Sequence, residues 1–289
     1  SDARAYHRLS PSLNLNYRKG RWNLFGSYSY YDRSSFSIIN VDRYIGPEFY
    51  SQTGYTPDFS SSHNYRFGAD FFATEKTTVG VLFSGFTREN ESSARNVTEV
   101  FDRDQTQQFG AFTTLNTTFT DRSNFLVNIN FKHEFQPWTD HSLNLDLDYT
   151  QYDFSNVSYL NIFQNTPGSP ESRSVQDVQQ PINLYVGKID YTLPVDSTFK
   201  IETGAKSSFA RIDNDLDFLR GAELDPNLSN DFLYEENINA GYVNLSKKLG
   251  PLDVNAGLRA EQTVVSGKTM GQQVLDRNYL QWFPSASAL

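Results

Sequence analysis

The feature that most constrains this chain is strict two-residue alternation of apolar and polar side chains, which recurs along most of its length. From Ser142 to Tyr149, Leu143, Leu145, Leu147 and Tyr149 point one way, while Ser142, Asn144, Asp146 and Asp148 point the other. Successive side chains of a strand project to opposite faces, so this pattern predicts a ribbon with one greasy and one wet surface. Phe125 to Phe131 repeats it, with Phe125, Val127, Ile129 and Phe131 alternating against Leu126, Asn128 and Asn130. Similar ribbons run through Leu13, Leu15 and Tyr17, through Tyr65, Phe67, Ala69 and Phe71, and through Val254, Ala256, Leu258 and Ala260. Helical periodicity is absent, so the predicted class is all-β.

The connections between ribbons sort into two kinds. Short turns fall at even spacing near Lys19, Lys76, Trp138, Val195 and Gly250. Between them lie polar stretches rich in Ser, Asn, Asp, Gly and Pro, at Arg33 to Ser61, Asn90 to Thr117, Ser155 to Gln180, Asn214 to Glu235 and Ser266 to Asp276, which read as long loops. Tight links at one end and long links at the other describe an antiparallel up-and-down transmembrane β-barrel, with periplasmic turns and extracellular loops. This map holds about eleven strands. An odd number does not suit a closed single-chain bacterial barrel. The expectation is one partial barrel domain over residues 1–289, part of a barrel of about 22 strands, whose plug domain and final strands lie outside it. The polar start, Ser1 to Arg8, shows no signal peptide and no initiating Met, as expected of an internal piece or a processed product.

Composition suits a wide barrel in the bacterial outer membrane, and a soluble all-β domain as well. Aromatic residues make up 15% of the chain, yet its mean hydropathy is negative, as alternation between a lipid face and a wet lumen produces. No apolar run reaches the ~18 residues of a spanning helix. There is no cysteine, which removes disulfides and thiolate chemistry. A net charge of -9 with interspersed signs argues against nucleic acid as a partner.

Two segments near the C-terminus carry a resemblance. Gly257-Leu258-Arg259-Ala260-Glu261-Gln262-Thr263 and Asn278-Tyr279-Leu280-Gln281-Trp282-Phe283-Pro284-Ser285 are similar, in order and spacing, to strands of the outer-membrane β-barrel family found in TonB-dependent receptors of Bacteroidetes-type bacteria. Tyr17 to Tyr30 looks like an early hairpin of that family, and His141 to Asp153 like a later one. The resemblance implies part of a receptor that binds and imports a scarce nutrient: a siderophore, cofactor, glycan or peptide. Its implied partners are outer-membrane lipid, the plug domain of the same protein, TonB and the nutrient. No cofactor and no enzymatic activity are expected. The competing readings are a complete small outer-membrane barrel enzyme and a soluble β-sandwich adhesin or carbohydrate-binding protein.

Candidate sites are sparse. Arg259 and Glu261 share one strand face, as do Asp146 and Asp148; all four are candidates for contacts in the lumen, although a structural ion pair is the plainer role for the first two and a solvated face for the aspartates. Asp213, Asp215 and Asp217 begin like a calcium loop, but Phe218 stands where the loop needs glycine and no closing Glu follows, which leaves a looser extracellular calcium site or a plain loop entrance as the two readings. The histidines, His7, His63, His133 and His141, have no metal-ligand spacing; His133 and His141 flank a predicted periplasmic turn. Trp22, Tyr28, Tyr30 and Tyr31 fit an interfacial girdle, and Tyr44, Phe49, Tyr50 and Tyr55 are candidates for stacking on a ligand.

Overall fold

The computed structural model describes residues 6–135, 140–164 and 171–289. Among these residues there is no helix, and the strands are β1 (His7–Leu9), β2 (Ser12–Lys19), β3 (Trp22–Ile45), β4 (Glu48–Thr74), β5 (Thr77–Asp102), β6 (Gln108–Glu134), β7 (Ser142–Gln164), β8 (Ser172–Pro194), β9 (Phe199–Arg220), β10 (Glu223–Leu224), β11 (Asn230–Leu249), β12 (Leu252–Thr269) and β13 (Gln272–Ala288). All belong to one antiparallel 13-stranded sheet. β1 and β2 are two pieces of one ribbon on β3, interrupted at Ser10 and Pro11, where proline has no amide proton for the ladder. β10 folds back on β9. The ribbons otherwise pair in chain order, so the up-and-down reading and its eleven ribbons hold. β2 and β13 are not paired with each other, and the sheet keeps two open edges.

Register carries the alternation across the whole sheet. One transverse row reads Trp22, Phe71, Val79, Phe131, Leu145, Ile189, Ala205, Gly241, Ala260 and Trp282, apolar at every step. The adjacent row, on the opposite face, includes Asn23, Asp70, Asn130, Asp146, Lys188, Lys206, Glu261 and Gln281. Among the described residues no second layer covers either face. Among the described residues the buried apolar side chains are Phe49, Ala240 and Val265 alone, whereas Leu15, Phe67, Ile129, Leu147, Tyr185 and Leu258 are exposed. The accessible surface of 18384 Å² compares with about 12,500 Å² for a water-soluble monomer of this mass. A soluble sandwich is therefore excluded, because it would bury its apolar face against a second sheet. Here that face is left for lipid.

The apolar band ends sharply on one side. It runs over Trp22 to Tyr28 on β3 and over Tyr65 to Phe71 on β4, and tight links follow directly below it at Gly20 and Arg21, Glu75 and Lys76, and Gly250 and Pro251. Residues 195–198 form a fourth such link. The predicted turn at Trp138 lies outside the described residues. At Gly20 the chain reverses with φ of +58°, a conformation that glycine adopts without strain.

Above the band the structure corrects the loop assignment. Among the described residues the polar stretches are chiefly hairpin arms, not irregular loops: β4 and β6 each run for 27 residues, about 90 Å of extended chain, where the band needs ~25 Å. Their tips are compact, as at Gly46 and Pro47 and at Met270 and Gly271. Met270 and Gly271 have φ of 47° and 71°, the paired left-handed geometry of a two-residue hairpin turn. The physical reason is side-chain pairing in water. Asn156 donates to Thr120 Oγ1 at 2.7 Å, Ser158 to Asn116 Oδ1 at 2.7 Å and Asn96 to Thr114 Oγ1 at 3.3 Å, so Ser, Thr and Asn that read as loop formers lace neighbouring arms together.

Candidate functional site

The apolar face is edged by aromatics. Trp22 stacks on Phe71 with ring centroids 4.7 Å apart at the lower rim. His133 and His141 flank the link between β6 and β7 and both pack against Phe135, at 4.5 Å, with His141 Nε2 hydrogen-bonded to the Tyr191 hydroxyl at 2.8 Å. At the upper rim Tyr28 hydrogen-bonds His63 Nδ1 at 2.7 Å. Trp22, Tyr28 and Tyr30 share the apolar face, as a girdle requires. Tyr31 is corrected: period two turns it to the polar face beside Arg33.

The predicted stacking residues split. Phe49 is buried between Tyr44, at 5.0 Å, and Phe101, at 6.3 Å, where it ties two hairpin tips together. The Tyr50 hydroxyl donates to Glu48 at 2.6 Å, and the Tyr55 and Tyr6 hydroxyls hydrogen-bond each other at 2.6 Å. These contacts are internal to the wall.

Arg259 and Glu261 sit together on the polar face of β12. Nε and Nη2 of Arg259 donate to Glu261 Oε2 at 3.0 and 2.5 Å, so the pair satisfies itself. Asp148 accepts from Asn128 Nδ2 at 2.8 Å, and Asp146 stands between Asn130 and Lys188 in the transverse row. Two carboxylates alternating along a strand are held apart by about two residue rises, near 7 Å, and each meets a cross-strand polar partner rather than the other.

Asp213, Asp215 and Asp217 are on the hairpin arm of β9. Asp215 lies opposite Asp231, and Asp217 opposite Asp177. Burial raises the Asp215 carboxyl above the ordinary carboxylate range, helped by repulsion from Asp217, Asp231, Asp213 and Asp177. Among the described residues no three acidic or imidazole side chains converge as metal ligands.

The sequence reading missed a concavity on the polar face, just above the level of the apolar band. It measures about 430 Å³ and is lined by Tyr31, Arg33, Ser60, Arg88, Asn90, Thr120 and Arg122, from four adjacent ribbons. Register builds it. Arg33, Ser60, Asn90 and Thr120 form one transverse row, and Tyr31, Ser62, Arg88 and Arg122 the next. The small side chains of Ser60 and Ser62, both buried, form a trough between larger neighbours. These residues fall in or beside segments that read as loops, and the one available signal was their even offset from Asn128 and Asn130 on β6 or from the polar positions of neighbouring strands.

Solved structures similar to the chain are outer-membrane proteins. The outer membrane protease OmpT from Escherichia coli is 10% identical, with a TM-score of 0.32, over 92% of this chain and 95% of that one. The toluene transporter TbuX of Ralstonia pickettii is 10% identical, with a TM-score of 0.33, over 90% and 79%. The monoaromatic hydrocarbon channel CymD is 10% identical, with a TM-score of 0.30, over 96% and 81%. Likeness at this level says nothing of what the chain binds. The expectation of no enzymatic activity is corrected: one of these barrels is a protease, and a β-wall does not by itself exclude catalysis. No curated protein matches the sequence. The model of the outer membrane protein beta-barrel family matches residues 133–289. With that match over more than half its length, and with an exposed apolar band on one sheet face, the chain belongs to the outer membrane protein β-barrel family and resides in the bacterial outer membrane.

Proposed function

We propose that this chain forms part of the wall of a TonB-dependent receptor that captures a scarce nutrient at the cell surface and releases it inward when TonB acts on a plug domain. The observation that carries this reading is the breadth of the wall together with its two unpaired edges. Eleven ribbons closed on themselves would give a barrel roughly 20 Å across, whereas about 22 would give roughly 40 Å. A folded plug of about 100 residues has a radius of gyration near 13 Å and fits only the wider one. An unpaired strand edge in lipid also leaves backbone groups without partners, so the wall must be completed by further strands or by closure.

The two segments that resemble the receptor family support the same reading, because they are direct partners in the sheet. Gly257, Leu258 and Arg259 pair with Ser285, Pro284 and Phe283. The long hairpin arms supply the extracellular surface that capture needs. The test is energised uptake in the native host. Accumulation of the limiting nutrient is expected to vanish on deletion of the gene, on deletion of TonB and on addition of a protonophore. Uptake that depends on the gene but survives the protonophore would mean a passive channel and end the proposal.

A further inference from the structure

We infer that the concavity on the polar face is an anion-binding site, which takes a dianion, either a phosphate group or a pair of carboxylates on one ligand. The inference rests on the uptake reading only in assigning the anion to an imported ligand; the site itself is argued from the wall.

Arg88 of β5 and Arg122 of β6 are directly opposed across the two strands, on the same face. Like charges so placed repel, and sheets ordinarily set an acid against a base there. Neither guanidinium forms an ion pair among the described residues. The ring of Phe154 lies 5.2 Å from the Arg122 guanidinium and holds it in place by cation–π contact. The third cation, Arg33, is already neutralised: its Nη2 meets Asp58 Oδ1 at 2.8 Å, and Asp58 also accepts from Asn90 Nδ2 at 3.2 Å. Glu89 and Asp121, the next residues along β5 and β6, are opposed on the other face and point away from the cavity. Two positive charges therefore remain uncompensated beside hydroxyl and amide donors, above a trough whose floor is serine.

Guanidinium forks match the planar oxygens of carboxylate and phosphate and hold them with two parallel hydrogen bonds. Solvent screens the charges of an open face, so affinity must come from converging donors and must fall with salt. A bound dianion converts the Arg88 and Arg122 repulsion into a bridge, which explains why two bases face each other at this place in the wall.

The test uses the full-length protein in detergent micelles at low ionic strength, with calorimetric titration of inorganic phosphate and, separately, of citrate. Saturable binding of at least one is expected, weakened at least about tenfold by Arg88→Gln and by Arg122→Gln. Arg66→Gln, on the same face outside the cavity, should leave it unchanged. Preference for phosphate or for citrate identifies the source of the anion. Arg122→Lys keeps the charge without the fork and should bind more weakly than wild type even if a glutamine variant fails to fold. Absence of saturable binding to folded wild-type protein overturns the inference, as would equal affinity of wild type and both glutamine variants. These measurements need no TonB and no energised membrane, so their failure is distinct from failure of the uptake assay.

Discussion

Gly257 of β12 lies directly opposite Ser285 of β13, and a methyl group at position 257 would meet Ser285 Oγ at 2.7 Å from one side and the amide oxygen of Asn244 from the other. The missing side chain is what lets β11, β12 and β13 close up at this level of the polar face. Gly257→Val is therefore expected to force Asn244 and Ser285 aside and cost about 1–3 kcal/mol. Urea unfolding of the protein in lipid vesicles, followed by tryptophan fluorescence, measures this; an unchanged midpoint would mean that the neighbours rotate away freely.

A charge on the apolar face tests the orientation of the wall. Leu147 is 46% exposed at mid-band, and Leu147→Arg is expected to destabilise the inserted protein by about 2–4 kcal/mol. Asp146→Asn, one residue away on the polar face, should stay within about 0.5 kcal/mol. Equal effects of the two substitutions would contradict the assignment of lipid to one face and water to the other.

The Arg259 and Glu261 pair is a modest contributor. Their side chains are 38% and 20% exposed, so Glu261→Gln is expected to lower stability by no more than about 1 kcal/mol and to leave phosphate binding at the Arg88 and Arg122 site unchanged. The same unfolding and calorimetric measurements check both halves.

The link between β8 and β9 is held by one carboxylate. Asp196 Oδ1 accepts from the Thr198 hydroxyl and amide at 2.7 Å each and from the Phe199 amide at 2.8 Å. These bonds, Thr198 foremost, hold its carboxyl down at about 2, with a smaller contribution from Lys247. A lowered folded-state pKa stabilises above the unfolded value near 3.8, and that stabilisation is lost as pH falls through about 2. Amide exchange at Thr198 and Phe199 should accordingly rise below pH 4, relative to other turn amides, and Asp196→Ala should show the raised exchange already at neutral pH.

Much of the wall was legible residue by residue. The alternation from Ser142 to Tyr149 and from Phe125 to Phe131 sets which side chains share a face, because the two-residue period is a local property of an extended backbone. The turns at Lys19, Lys76, Val195 and Gly250 were equally local, marked by breaks in that alternation and in places by glycine, and the structure places tight links there. The hairpin arms were not legible, since Ser, Thr and Asn favour loops in isolation and become strand residues only when a neighbouring arm offers partners, as Thr120 does for Asn156.

What the sequence by itself determined is the two-faced ribbon, its antiparallel succession and the greasy band that demands a membrane. What only the tertiary structure decided is register: that Arg88 meets Arg122, that Ser60 lies between Arg33 and Asn90, and that Gly257 meets Ser285. The physical reason is range. Alternation is settled by neighbours in the chain, whereas register is settled by cross-strand packing between residues tens of positions apart, and sliding one strand by two residues keeps every face intact while changing every partner.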